Sequence, residues 1–344
     1  MMRRRSYLLL LSALVLLTAL SCTRESMPGE PGSIALSLST GAVETKAGDG
    51  NVADGGGIYL DGEGNPDLLI AIFNSRGQCV ARYPAEGELV TSSVTASVIE
   101  FLDINPGTYT VYAVANALGL DAATRTGFAS ATSPAEVEAL QVLPSPGDPA
   151  FLNARMPLSA KGSVTVTSGG RGQVNLDMLR IFARVSLSFL NETGDPITLS
   201  GCSVTLEKMN PRNAYLVGRA ADYVTAPAAE DLTLSHADPV TVGHLETSDY
   251  GNLSALVFPS KAPAHLPGYR YLAAISFTIG GVNYSYSDLP VHDRRSADIQ
   301  TVGRNQHLKI ETRIGKKTEA ENVVSFHFEV VDWKDGGSHF VWFH

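Results

Sequence analysis

Cysteine is scarce in this chain. Three residues in 344, with no C-x-x-C pair, exclude a disulfide-built scaffold and leave no thiolate zinc site to expect. Charge is scarce too. Asp, Glu, Lys and Arg make up 18% of the residues, below the ~25% usual in soluble domains. What charge there is has an acidic excess, a formal net −9 with pI ≈ 5.4. A nucleic-acid partner needs a basic patch, so none is expected. Motifs of catalysis are missing. There is no H-E-x-x-H, no G-x-S-x-G and no Gly-rich loop ending in Lys-Ser or Lys-Thr, so no enzyme, cofactor or metal site is anticipated. The eight His are scattered and are expected at the surface. Tryptophan occurs only as Trp333 and Trp342, which leaves little material for an aromatic sugar platform.

What the chain has in quantity is apolar residues, 44%, with 32 Gly and 18 Pro. That suffices for a sizeable core broken by many turns, and excludes global disorder. The length fits two domains at ~150 residues each.

The longest apolar run is Tyr7–Leu20, behind Arg3, Arg4 and Arg5. It falls short of the ~20 residues that span a bilayer and reads as a signal-peptide core. It ends on Ala19-Leu20-Ser21-Cys22, which resembles the lipobox of bacterial lipoproteins. The resemblance implies cleavage before Cys22 and acylation of its sulfur; plain secretion is the alternative. Residues 1–21 are then a signal peptide. Thr23 to Gly32 is a Pro- and Gly-punctuated tether.

Strand signals follow. Ser33–Thr40 alternates apolar and polar residues, as a half-buried strand does. Ala47–Asp67 is rich in Gly, Asp and Asn and reads as a loop. Within it Asp61-Gly62-Glu63-Gly64-Asn65-Pro66-Asp67 spaces its oxygens like a calcium loop. Pro66 stands where such a loop needs Gly, so a solvated turn is expected. Leu68–Phe73 and Gln78–Tyr83 form a hairpin around Asn74-Ser75-Arg76-Gly77. Val98–Phe101, Thr108–Asn116 and Val164–Thr167 are further strands, and the aromatics of Thr108–Ala115 are expected in the core. Ser133–Leu140 carries helix signals: Ser133 as N-cap, Pro134 first, Glu136 closing a capping box. Later strands are expected at Ile181–Leu190, Ser203–Glu207, Ala255–Phe258, Tyr271–Ile279, Asn283–Ser287, His307–Glu311, Val323–Val331 and Phe340–Phe343. Gly280-Gly281 marks a hairpin. Many short, evenly spaced strands make the class all-β, as tandem sandwiches with few short helices. The turn at Gly169-Gly170 divides them into 47–170 and 171–344. Cys79 and Cys202 then fall in different domains and are expected as buried free thiols.

Several stretches, in order, resemble the fimbrillin family, fimbrial subunits of Gram-negative anaerobes. They are the lipobox with its pro-segment to Lys46-Ala47, the strand Leu68–Asn74 with Gly77, and Gly107–Asn116. They continue with Arg155–Ser159, Leu179–Val185, Val302–Ile310 and Val331-Asp332-Trp333. The chain departs from the family at Val257–Lys261 and in having Lys46 where an Arg is usual. The resemblance implies two transthyretin-like β-sandwiches and a subunit exported as an outer-membrane lipoprotein. It also implies a lipidated pro-segment 22–46 removed by a cut between Lys46 and Ala47, and polymerisation with other fimbrial subunits by strand exchange at the cell surface. Phe340, Val341, Trp342 and Phe343 are the candidate donor strand, with an ordinary edge strand as the alternative. The rival function is a non-polymerising surface lipoprotein that binds glycans or anchors a fimbria.

Overall fold

The computed structural model describes residues 29–39, 58, 65–92, 96–142, 156–218, 229–248, 253–262, 270–293, 295, 297–318 and 321–332. Cys22, Lys46, Ala47 and Phe340–Phe343 lie outside the described residues, and so does most of the Asp61–Asp67 loop.

The first sandwich contains β1 (Gly32–Ser39), β2 (Leu68–Asn74), β3 (Cys79–Tyr83), β4 (Glu88–Ser92), β5 (Ala96–Ile104) and β6 (Gly107–Ala115). Helices α1 (Ala122–Ser130) and α2 (Pro134–Ala139) and the short β7 (Gln141–Val142) come next, then β8 (Leu158–Val166), β9 (Arg171–Asp177) and β10 (Leu179–Arg180). One sheet has the order β4-β5-β1-β9, the other β10-β8-β6-β2-β3. Their facing side chains, among them Leu36, Ile70, Ile99, Phe101, Val111 and Leu176, form one core.

The second sandwich follows with β11 (Ala183–Glu192), β12 (Ile197–Asn210), β13 (Ala214–Tyr215), β14 (Glu230–His236), β15 (Val240–Val242), β16 (Thr247–Ser248) and β17 (Ser254–Val257). It continues through β18 (Ser260–Lys261), β19 (Leu272–Ile279), β20 (Val282–Pro290), β21 (Thr301–Val302), β22 (Gln306–Thr318) and β23 (Glu321–Asp332). One sheet runs β16-β11-β22-β23, with β17 also on β11; the other runs β14-β12-β19-β20, with β15 also on β12. Gly280 and Gly281 turn β19 into β20 with φ of +57° and +82°, the left-handed pair that a two-residue hairpin requires.

A third core joins the halves. Strand β6 is buried on both faces: Tyr109, Val111 and Ala113 face the first sandwich's interior, while Tyr112 and Val114 face α1, α2 and the second sandwich. Phe73 packs edge-on to Tyr112 at 5.8 Å, and Phe182 stacks on Phe258 at 5.0 Å. The β6 aromatics are core residues, as expected.

Some expectations need correction. Arg171–Asp177 does not open the second domain. It is β9, paired along its length with β1, and Leu176 and Met178 belong to the first core. Gly169-Gly170 is therefore a turn between the two sheets of one sandwich. Cys202 is buried and free, whereas Cys79 is free but only half-buried. His307 is no surface residue: its Nε2 lies 2.7 Å from Ser186 Oγ, and burial with the nearby charges of Arg184 and Lys309 depresses its pKa to about 3. Ser133 caps α2 as expected, its Oγ accepting from Glu136 N at 3.3 Å; Glu136 reaches back one residue further, to Thr132 N at 2.7 Å. Helix α1 has no counterpart among the expected elements, although Asp121 caps it through Thr124 N at 2.8 Å.

Candidate functional site

The first strand is an interior strand. Alternation of Ile34, Leu36 and Leu38 with serines makes one face apolar, and all three are fully buried. On one side β1 pairs antiparallel with β5, Leu36 opposite Ile99; on the other it pairs parallel with β9, Leu36 opposite Val174. Ala35, on the outer face, is also buried, between its register partners Glu100 and Gln173.

Both ends of the strand are fastened. Ser33 N donates to Gly170 O at 3.0 Å, and Gly169 N to Glu30 O at 2.7 Å. At the far end Met178 N donates to Ser39 O at 2.7 Å. Gly32 admits no side chain, since a Cβ there would lie 2.0 Å from Gly170 O. Across the outer face Glu100 Oε1 accepts from Ser33 Oγ at 3.0 Å and from Arg171 Nε at 2.9 Å, so one carboxylate ties β5, β1 and β9.

Taking β1 away would expose two rows of ladder groups and the pocket of three large side chains. At ~1.5–3 kcal/mol per buried side chain, Ile34, Leu36 and Leu38 alone contribute about 5–9 kcal/mol. A domain's whole stability is roughly 5–15 kcal/mol. The vacated slot, between Ile99 and Phe101 on one wall and Leu176 on the other, is thus a site for another apolar–polar alternating strand.

Sequence reasoning placed a filling strand at Ser33–Thr40. It did not find β9 as the second wall, because the parallel pairing is non-local and the polar residues of Arg171–Asp177 hide its inward Leu176. The sequence-derived residues Cys22, Lys46, Ala47 and Phe340–Phe343 lie outside the described residues. Among the described residues no three of His, Cys, Asp and Glu gather as metal ligands, and no helix is long and apolar enough to cross a membrane.

No family model and no curated protein matches this sequence. Solved structures do match. A candidate cell adhesion protein of Parabacteroides distasonis superposes with a TM-score of 0.57 at 13% identity, covering 90% of this chain and 99% of that one. A fimbrilin of Porphyromonas gingivalis gives 0.52 at 13% identity, covering 91% and 99%. The C-terminally truncated tip fimbrial protein of the same organism gives 0.51 at 15%, covering 88% and 100%. The chain shares the all-β fold of these fimbrial and adhesion proteins along nearly its whole length, in keeping with the fimbrillin resemblance of its sequence.

Proposed function

We propose that this protein is a structural, non-catalytic subunit of surface fimbriae that supports adhesion. It is exported as an outer-membrane lipoprotein on Cys22 and matured by a cut between Lys46 and Ala47. It then polymerises with other fimbrial subunits by donor-strand exchange, Phe340–Phe343 serving as the incoming strand. The observation that carries the reading is that β1, upstream of Lys46 in the sequence, is an interior strand of the first sandwich. A trypsin-like cut at Lys46 frees both the lipid anchor and the strand. A cut at Arg24, the only other basic residue between the lipidated Cys22 and the domain that begins at Ala47, would leave the strand in place. Only the former couples processing to assembly. Before the cut, β1 satisfies the open backbone groups and keeps the subunit from pairing early.

N-terminal sequencing of protein sheared from the cell surface tests the cut. A mature chain that begins at Ala47 is expected, and assembled fibres built from chains still acylated at Cys22 would point to the anchoring role instead. Deleting Ser338–His344 should yield a folded monomer that does not extend fibres by electron microscopy. Fibres of ordinary length after that deletion would rule out this segment as donor.

A further inference from the structure

A cleft of about 990 Å³ lies where helix α2, strands β8 and β9, and the segment after β13 meet the turn before β22. It adjoins the β1 groove across β9, Leu176 lining both. Its most unusual resident is Arg304. One Nη donates to Gly218 O at 3.4 Å and the other to Ser159 Oγ at 2.5 Å. Ser159 is itself buried and already donates to Leu216 O at 2.7 Å, so the guanidinium is held in one orientation. Its Nε is buried and has no partner, and no carboxylate pairs with it among the described residues. Burial depresses the Arg304 pKa to about 10, well above neutrality, so the group stays charged. A half-buried cation facing only neutral oxygens is costly, and an anion entering the cleft would relieve it.

The other charges of the cleft are arranged around that need. Glu138 is already engaged, by Lys161 Nζ at 2.6 Å and the Tyr112 hydroxyl at 2.6 Å. Asn175 and Asp177 are exposed at the rim, with half-buried Tyr215 also lining the walls. An amide, a phenol and a carboxylate together offer donors and acceptors for neighbouring hydroxyls. The volume lies at the upper end of the ~300–1,000 Å³ range of ligand pockets. The geometry points to this cleft as a binding site for a short carboxylate-bearing glycan, the carboxylate seated on Arg304 and the hydroxyls on Asn175, Asp177 and Tyr215. A guanidinium is a suitable carboxylate partner because its donors are coplanar, and each Nη carries a second hydrogen beyond the one given to Gly218 or Ser159.

The experiment is calorimetric titration of the full chain, purified from membranes in detergent, with galacturonate and N-acetylneuraminate, and with galactose and acetate as controls. Both acidic sugars should bind at least about tenfold tighter than either control, a single charge-assisted contact being sufficient for that ratio. Arg304→Gln should remove about tenfold of the acidic-sugar affinity while leaving galactose unchanged. Because Arg304 also links the halves, Ala139→Trp provides the fold-safe arm: Ala139 is exposed on the helical wall, and the indole would fill the cleft. Equal binding of galactose and galacturonate overturns the carboxylate anchor, and equal binding of acetate overturns the sugar. Unchanged acidic-sugar binding in a folded Ala139→Trp or Arg304→Gln protein overturns the site.

Discussion

The two sandwiches repeat one strand order, and they differ in how the first strand is attached. In the first, β1 lies between antiparallel β5 and parallel β9; in the second, β11 lies between antiparallel β17 and parallel β22. The opposite sheets correspond as well, β3-β2-β6-β8 matching β14-β12-β19-β20. Yet β11 is locked at both ends. It follows β10 almost directly, and its last turn is clasped by buried Asn191, whose Nδ2 donates to Asp195 O at 2.8 Å and Val242 O at 2.9 Å. Strand β1 is joined to the rest of its sandwich only through residues 40–67, the stretch that contains Lys46. The second sandwich also has β23 on the outer edge of β22, whereas the outer edge of β9 has no strand paired to it among the described residues. Two buried strands thus have unequal covalent ties: a single cut within residues 40–67 would leave β1 held to its sandwich by non-covalent contacts alone, and no single cut does that to β11.

The sharpest way to break this comparison is to remove β1. A chain beginning at Ala47, kept monomeric by deleting Ser338–His344, should lose at least about 5 kcal/mol in its first sandwich. The second sandwich should keep its own transition in urea. Adding a synthetic peptide of residues 29–40 should restore the first transition. If that sandwich melts at the same denaturant concentration with and without β1, the strand is ornamental and the comparison collapses.

A milder version compares single side chains. Leu36→Ala in β1 and Leu187→Ala in β11 each truncate a buried leucine and should each cost about 2–5 kcal/mol in the precursor. In the processed, assembled subunit only Leu187→Ala should retain its cost, because Leu36 is no longer present. Fibres dissociated in denaturant report the difference. Equal sensitivity of assembled fibres to both substitutions would mean that β1 stays in place.

Much of this was legible in the sequence, for physical reasons. The hairpins at Gly77 and Gly280-Gly281 announce themselves because only glycine takes their positive φ without cost. Ser133-Pro134-x-Glu136 marks α2 through its cap. What stayed hidden was non-local or mixed in character. Strand β22 runs to Thr318, well past the expected end at Glu311, because buried Thr312 interrupts its inward row of Leu308, Ile310 and Ile314. Helix α1 sets three Ala and an Arg against two Thr, a Ser and, near its middle, Gly127, so no clear signal emerges; tertiary contacts at Phe128 hold it. The wall formed by β9 was missed because Gly169-Gly170 is as good a signal for a turn between sheets as for one between domains. Arg304 stood inside a recognised stretch, but nothing in a linear pattern shows that a cation will be half-buried without a counter-charge.

Acid should separate the two halves next. All eight His follow residue 235 in the chain, and His307 is held neutral. Its imidazole is flanked by Ser186 and Arg184 of β11, Lys309 of β22 and, across the ladder, Val331 of β23. Its folded pKa of about 3 lies below the ordinary 6.5. Between those values the unfolded chain binds the extra proton, so stability rises with pH in that window and is lost on acidification. From pH 6.5 to pH 4 the second sandwich should lose up to about 3 kcal/mol, while the first, with no His, should lack this contribution. His307→Gln should flatten the profile of the second. If both sandwiches lose stability in parallel, or the substitution leaves the profile unchanged, His307 is not the cause.

The smallest expected effect concerns Glu100, and it tests whether the outer clasp belongs to the precursor alone. Its carboxylate bridges Ser33 and Arg171 across β1, with Arg171 more than half exposed, so solvent screens the pair. Glu100→Gln keeps the shape and removes the charge, and the expected cost in the precursor is about 0.2–1 kcal/mol. With β1 between them, β5 and β9 already stand two strand spacings apart, roughly 9–10 Å, and Glu100 meets Arg171 there at 2.9 Å. The pair therefore outlasts β1 wherever an incoming strand keeps that spacing, whereas the contact to the Ser33 hydroxyl leaves with β1. A double-mutant cycle of Glu100→Gln with Arg171→Gln, run on precursor and on assembled subunits, measures this. Coupling of similar size in both states is expected. Coupling in the precursor that disappears on assembly would mean that the incoming strand displaces the pair or leaves β5 and β9 at another spacing.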